Sequence, residues 1–398
     1  MTSETTTSQN VRHAEGAEQV AALVCDAVSS GTPIVDYGVA HGGLGHPPPA
    51  NRFNLEQRGR IIEHYQRDLT VRVAAGATVA ATQTELNNHN QFLPLDADDD
   101  LTIGEILTHN VYGPLRIGFG TIRSLLLGLR YIDGEGRDIH VGGRTVKNVA
   151  GYDVSRFLVG SLGELGIVYE ATIRTYAVPE HSFCVELVVD DPAPIGARVT
   201  TLMLTDAAPA WIHLGLEGDS WRLRLGYYGG ETALGVVQQT LDGRTGDLLG
   251  ASIDRKARQN FCDDAALRSS LRRWRRTAPA VFKIVTTPSL TGQCCAELRS
   301  RTGQKNLKIE AFPAHGCIFV GGQLDGPIAK RLDGIAGEWL ATRAGFRIWI
   351  TRPVGGESID PFGSKPADFE MLCRLKSAMD PHAIFNPGRY LPAPETTL

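Results

Sequence analysis

Apolar residues recur at helical spacing from Ala14 to Val28 (Val20, Leu23, Val24, Ala27, Val28), and Ser29-Ser30-Gly31 supplies a stop. Pro33 to Tyr37 reads as a short strand that opens into a Gly- and Pro-rich loop, Gly38 to Pro49. Leu69 to Ala74 alternates like a strand, Thr78 to Asn90 has helical spacing, and Phe92 to Leu95 is extended. Thr102 and Glu105 stand at capping-box spacing, which starts another helix there. Leu127 to His140 forms a hairpin pattern around Asp133-Gly-Glu-Gly136. Ile167 to Tyr176 alternates, with Ile167, Tyr169, Ala171 and Ile173 on one face.

After Pro179 the pattern changes. Cys184 to Val189 reads as a strand and Ile195 to Leu204 as a helix. Trp211 to Leu216 and Trp221 to Tyr228 read as paired strands, and Thr232 to Leu241 as a helix. A second round starts near Phe282: strand, helix (Leu290 to Ser300), strands Leu307 to Ala311 and Cys317 to Gly321, helix (Ile328 to Ala344), strand Phe346 to Thr351. Two β-α-β-β-α-β rounds predict one antiparallel sheet with helices on one face, so the fold class is α+β.

At 398 residues, two domains are expected. A formal net charge of −4 gives no reason to expect nucleic acid as a partner. No apolar run reaches the roughly 18 residues of a transmembrane segment. Met1 to Asn10 is polar and lacks a signal-peptide core, so the chain reads as cytoplasmic. The seven cysteines show no C-x-x-C or Cys/His spacing for zinc or an iron–sulfur cluster, and no metal is expected. The adjacent Cys294-Cys295 reads as inert, because neighbouring residues rarely meet disulfide geometry.

The chemistry-bearing segments are rich in glycine. Asp36 to His46 (Asp-Tyr-Gly-Val-Ala-His-Gly-Gly-Leu-Gly-His) can aim several backbone N–H groups at one anion, although a plain surface loop has the same composition. The second segment comprises Thr102-Ile-Gly-Glu, Asn110-Val-Tyr-Gly113 and Phe119-Gly-Thr-Ile-Arg123. The third comprises Gly142-Gly-Arg-Thr-Val-Lys-Asn-Val-Ala-Gly-Tyr-Asp153 and Gly160-Ser-Leu-Gly-Glu-Leu-Gly-Ile167. Glycine turns in this order can wrap an elongated ligand with main-chain contacts. The G-x-G-x-x-G and G-x-x-x-x-G-K-[ST] fingerprints do not occur in their required settings, so Rossmann and P-loop readings fall away.

In order and wording these segments resemble the FAD-binding domain of the vanillyl-alcohol-oxidase/PCMH-type superfamily. Gly142 to Pro179 is most similar to FAD-binding subunits of the glycolate oxidase (glycolate dehydrogenase) type, and Lys376 to Tyr390 resembles the way those chains end. The resemblance implies a PCMH-type FAD-binding domain of two subdomains over 14–178, preceded by a disordered tail, 1–13. It implies an α+β cap with an antiparallel sheet over 179–355, and a segment, 356–398, that returns to the first domain. The implied cofactor is FAD. Tyr37, Gly38, Val39, Ala40 and His41 match the pyrophosphate loop, with Gly42 and Gly43 following. Ile103, Gly104, Asn110, Gly113 and Gly120 match positions lining flavin and pyrophosphate, and Asn148, Ala150, Gly151 and Tyr152 lie in the signature stretch. Gly166 and Ile167 match a contact to the adenosine end, while Asn386 and Arg389 come from the returning segment.

Two departures from the family pattern stand out. Its Arg-Gly-Gly-Gly has become Tyr37-Gly38-Val39-Ala40, which leaves the contact to Gly43 and Gly45 or the loop partly degenerate. Its Ile-Gly-Gly has become Ile103-Gly104-Glu105, which puts a carboxylate near the flavin. His41 falls where some relatives link covalently to flavin; the alternative is a loop histidine bonded to backbone. His315, at a strand start, is a weak catalytic candidate that could orient a substrate carboxylate; the alternative is a structural histidine. Arg272-Arg-Trp-Arg-Arg276 reads as a solvated face or as a dock for an acidic partner. The implied activity is a redox subunit for a small-molecule 2-hydroxy acid, relaying electrons among partner flavin and iron–sulfur subunits. A scaffold with a degenerate flavin site and a stand-alone FAD-dependent dehydrogenase are the alternatives.

Overall fold

The computed structural model describes residues 11–36, 51–55, 60–143, 154–249, 252–259, 261–304, 306–351 and 359–392. Strands β1 (Val11–Ala14), β2 (Ile34–Asp36) and β3 (Asn51–Leu55) form a small parallel sheet in the order β1-β3-β2. The tail expected through residue 13 is therefore a strand from Val11 onward, because β3 supplies partners for its backbone. The first helix, Ala17–Ser30, starts after that strand, and Gly31 ends it at φ +63°, a left-handed cap that glycine takes without strain.

Next come β4 (Ile61–Tyr65), β5 (Thr70–Ala74), β6 (Gln91–Phe92), β7 (Leu126–Ile132), β8 (Asp138–Gly142), β9 (Ile167–Arg174) and β10 (Tyr176–Ala177). Five of them form an antiparallel sheet in the order β4-β5-β9-β7-β8. β9 is central, so both its faces are covered. Val168, Glu170 and Thr172 are buried as well as the alternating set Ile167, Tyr169, Ala171 and Ile173. Ile103, Ile106, Leu129, Ile132 and Phe385 share the core with it.

The second half contains β11 (His181–Val189), β12 (Trp211–Glu217), β13 (Ser220–Gly229), β14 (Ser252–Gln259), β15 (Ala280–Val285), β16 (Lys308–Phe312), β17 (Cys317–Gly322) and β18 (Phe346–Thr351). They form one eight-stranded antiparallel sheet, β14-β11-β13-β12-β16-β17-β15-β18. Within each round the spatial order is fourth, first, third, second strand, and the rounds meet where β12 pairs with β16. β14 and the helix Phe261–Arg272 escape the sequence reading. Ser252–Gln259 carries three basic residues and no apolar alternation, as suits an edge strand guarded by charge.

The sheet's two faces differ. Phe282, Ile284, Ile318 and Val320 join the large core under the helices, whereas Val281, Cys317 and Phe319 form a small cluster on the opposite face, with Tyr112 of the first domain packed against it. The basic run contributes to the junction between the halves. Arg268 Nε donates to Asp96 Oδ1 at 2.8 Å and its guanidinium pairs with Asp264. Arg272 donates to the Ala97 carbonyl, and Arg276 pairs with Asp98 at 3.6 Å and with Asp100 at 2.5 Å. Arg275 pairs with Glu310 at 3.3 Å. Spaced four apart, Arg268, Arg272 and Arg276 meet the acidic loop Asp96–Asp100 of this same chain. Arg272 and Arg275 of the run are thus turned onto this chain's own acids, while Arg273 and Arg276 stay exposed, as a solvated face requires.

The chain after residue 359 first stays with the second half, where Ile359 joins the large core and Trp349 N–H donates to the Pro361 carbonyl at 2.8 Å, and then reaches the first half. Ile34 N–H donates to the Ile384 carbonyl at 2.6 Å, and Asn386 N–H donates back to the Ile34 carbonyl at 3.1 Å. Lys376, on the helix Phe369–Met379, is wholly buried. Its ammonium donates to the Glu164 carbonyl (2.6 Å), to Asp380 Oδ2 (2.6 Å) and to the Phe385 carbonyl (2.7 Å). Among the described residues, no helix is long and apolar enough to cross a membrane.

Candidate functional site

A narrow cleft opens where the helix Ile103–His109, the turn before β9 and the returning segment converge. Ile34, Gly104, Thr108, Gly163, Gly166, Ile167, Val168, Phe385 and Asn386 line it. The helix starts with both arms of the capping box: Thr102 Oγ1 accepts from Glu105 N–H at 3.2 Å, and the Glu105 carboxylate accepts from Thr102 N–H at 2.8 Å. That bond occupies the carboxylate of Glu105 with Thr102. The acid thereby serves the helix terminus, as its spacing from Thr102 predicts, because an N3 glutamate satisfies an otherwise orphan backbone donor. Gly104 lies against the Ala75 backbone, where an added Cβ would approach the Ala75 carbonyl oxygen to 3.2 Å.

The loop 160–166 carries positive φ at Gly160, Leu162, Gly163 and Gly166. Asn386, itself at φ +41°, fixes it by donating from Nδ2 to the Gly163 carbonyl (2.9 Å) and the Leu162 carbonyl (3.3 Å). The Glu164 carboxylate accepts from the N–H groups of Tyr390 (2.9 Å) and Leu391 (3.1 Å). Burial pushes this acid up to about 7, against those bonds and the nearby charges of Lys376 and Arg389.

Of the residues singled out from the sequence, Gly104, Gly166, Ile167 and Asn386 line the cleft together. Ile103 lies fully buried next to it, and Arg389 is buried close to Glu164. Asn110 caps the same helix at φ +49°. Gly113 and Gly120 are placed elsewhere. A Cβ at Gly113 would strike Asp96 at 2.3 Å, and Gly120, at φ +90°, turns the chain against Ser124. Both glycines answer to packing and backbone geometry there. Tyr37, Gly38, Val39, Ala40, His41, Gly42 and Gly43 lie outside the described residues, as do Asn148, Ala150, Gly151 and Tyr152. Thr108, Gly163 and Phe385 were missed by the sequence reading; the signal available was their adjacency to Gly104, Gly166 and Asn386.

Two buried atoms bear on whether the region suits a cofactor. Asn110 Oδ1 and Asn386 Oδ1 have no hydrogen-bond partner among the described residues. A buried carbonyl oxygen left so is costly unless something donates to it. Glycine walls at Gly104, Gly163 and Gly166 let main chain approach a ligand closely, and with the two acceptors they fit an amide- and hydroxyl-bearing group such as FAD.

A second cluster lies at the junction of the halves. His315 sits in the turn between β16 and β17, edge-on to Tyr112 (ring centroids 6.4 Å apart) and Phe312 (6.2 Å). Neither ring nitrogen has a hydrogen-bond partner among the described residues. Burial, aided by Arg116, pushes the imidazole down to about 3 and keeps it neutral. Arg116 lies over the Tyr112 ring at 4.6 Å and Lys283 Nζ at 4.5 Å from the same ring. The Tyr112 hydroxyl faces Cys317 and Arg116.

Comparison with known proteins agrees with this geometry. Residues 8–153 match the family model described as FAD binding domain. The chain is 29% identical over 176 residues to glycolate oxidase subunit GlcE of Escherichia coli (strain K12), covering 43% of this chain and 50% of that one. It is 30% identical over 169 residues to a probable mitochondrial D-lactate dehydrogenase of Danio rerio (41% and 34%). It is 31% identical over 170 residues to D-2-hydroxyglutarate dehydrogenase of Xanthomonas citri pv. viticola (42% and 36%). The matched stretch thus spans half or less of each relative's length. Among solved structures, alkyldihydroxyacetonephosphate synthase superposes with a TM-score of 0.68 at 15% identity, covering 94% of this chain and 76% of that one. Acremonium strictum glucooligosaccharide oxidase does so with 0.68 at 13%, covering 96% and 90%. These two likenesses concern the fold.

Proposed function

We propose that the chain, whose residues 8–153 match the family model described as FAD binding domain, is an FAD-dependent oxidoreductase acting on CH–OH donors, a subunit of a glycolate oxidase-type assembly. It handles a 2-hydroxy acid and passes electrons onward to partner flavin and iron–sulfur subunits. One observation carries this reading: Gly104, Gly163, Gly166 and Asn386, from three separate stretches of chain, close on one cleft, with unpartnered amide oxygens at Asn386 and Asn110.

Ile103, Gly104, Asn110, Gly166, Ile167, Asn386 and Arg389 would hold the cofactor, together with Tyr37 to Gly43 and Asn148 to Tyr152. FAD, when bound, supplies the two-electron acceptor for CH–OH oxidation. The chain's own residues position and shield. The Asn386 bonds hold the loop 160–166, the Lys376 bonds hold the returning segment, and the sheet of the second half covers the junction at Tyr112 and His315. The capping-box bond of Glu105 removes one reason to regard the site as a decayed scaffold.

Anaerobic addition of glycolate, lactate or 2-hydroxyglutarate tests the proposal. The flavin band of the chain, alone or co-purified with its partner subunits, should bleach with at least one of them. A yellow protein that none of these acids bleaches, in either form, overturns the assignment of substrate class.

A further inference from the structure

Lys283 occupies an unusual place for a lysine. On β15 it stands between Val281 and Val285, opposite Phe319 of β17 and Ile348 of β18. Its row belongs to the apolar face turned toward the first domain. Burial there penalises an ammonium, and the group's proton affinity is pushed down accordingly. Neither Lys283 nor Arg116 has a carboxylate partner among the described residues. Each instead contacts the Tyr112 ring, at 4.5 and 4.6 Å. The acids in the neighbourhood are committed elsewhere. Glu310 pairs with Arg275 (3.3 Å) and His213 (3.6 Å), and Asp96 accepts from Arg268 and from Leu115 N–H (2.7 Å). Folding therefore brings two cations from the two halves onto one aromatic platform, with no carboxylate paired to either among the described residues. A residue that costs stability and serves no structural partner points to a ligand.

We propose that Arg116 and Lys283, with Tyr112 between them and His315 beside it, bind the acid groups of the substrate, and that the two charges select hydroxy acids bearing two negative charges over those bearing one. The inference rests on the reading above and refines its substrate class. An anion seated there contacts both halves of the chain. Neutral His315 adds a hydrogen-bonding nitrogen without adding a third charge. Two unit charges about 4 Å apart attract strongly at a protein surface even after desolvation, so losing one of two cations should be felt at least as a tenfold change.

The test is calorimetric titration of the full chain as purified with malonate, glycolate and acetamide, repeated on Lys283→Met and Arg116→Gln, together with thermal unfolding of each. Malonate should bind at least tenfold more tightly than glycolate, acetamide not at all, and either substitution should bring malonate to parity with glycolate. Lys283→Met should melt at or above the wild-type temperature, since methionine suits an apolar row, whereas a structural lysine would lower it. Equal affinities for malonate and glycolate in the wild type overturn the two-charge selection. A lower melting temperature for Lys283→Met without loss of malonate affinity overturns the site. Because binding is read as heat, a colourless chain that still selects malonate keeps this inference while the flavoprotein reading fails. A yellow chain that takes up neither acid does the reverse.

Discussion

Two lysines packed into this chain, Lys376 wholly buried and Lys283 partly buried, sit in opposite circumstances. Lys376 directs its three ammonium hydrogens at three acceptors, two main-chain carbonyls and the carboxylate of Asp380, all within 2.7 Å. Lys283 has aromatic rings around it and no acid partner among the described residues. The first ties the returning C-terminal segment to the loop that lines the cleft. The second stands at the junction of the two halves. Burying a charge is tolerable when every hydrogen-bonding direction is met. Where it is not met, the group needs a role that outweighs its cost, and position between domains supplies one.

The contrast is sharpest under the same substitution at both sites. Lys376→Met leaves Asp380 buried without its cation and should cost about 3–5 kcal/mol in denaturant unfolding. Lys283→Met should cost nothing. Comparable losses at both positions would erase the distinction.

The two regions also answer pH with opposite sign. Glu164, in the C-terminal clamp, titrates near 7 in the folded chain against an ordinary 4.5. The folded state then holds the extra proton between those values, and the stability it contributes at low pH is lost as pH rises through about 7. His315, at the junction, titrates near 3 against an ordinary 6.5. Its contribution is present above 6.5 and lost as pH falls toward 3. Between about 4.5 and 6.5 the two oppose each other. Relative to wild type, Glu164→Gln should therefore make unfolding free energy rise more steeply with pH in that window, and His315→Phe should make it fall. Parallel profiles for all three proteins would remove both groups from the balance.

A smaller effect belongs to Asn110, the C-cap of the helix that walls the cleft. Asn110→Gly keeps the left-handed backbone but removes the unpartnered oxygen. Apo stability should change little, while FAD affinity measured by fluorescence quenching should fall about three- to tenfold, the weight of one neutral hydrogen bond. Unchanged affinity would take Asn110 out of the cofactor's surroundings.

The cleft and the junction differ in how much of each the sequence discloses. Gly104, Gly166 and Asn386 lie in stretches whose glycines and turns are local signals, so they can be singled out one by one. Glu105 answers two patterns, a family position and a capping box, and the capping-box bond is legible from the Thr102 spacing alone. Lys283 and Arg116 give no such signal. Each is an ordinary basic residue in its own segment, and only the pairing of β15 with β17 and the packing of Tyr112 onto that sheet bring them together. The arginines 268, 272 and 276 show the same limit. Their spacing announces a charged helix face, but the partner, Asp96 to Asp100, is remote in sequence. The sheet of the second half was foreseen in outline because its strands alternate. The strand Ser252–Gln259 was not, because an edge strand rich in charge carries no apolar rhythm.

The most direct single measurement is the absorbance spectrum of the purified chain before and after acid precipitation. Flavin bands in the native protein are expected. If they leave with the supernatant, FAD is held without a covalent bond; if they stay with the pellet, the flavin is covalent and His41 becomes the attachment site to test. A colourless chain that also takes up no added FAD would contradict the assignment of the cleft at Gly104, Gly166 and Asn386.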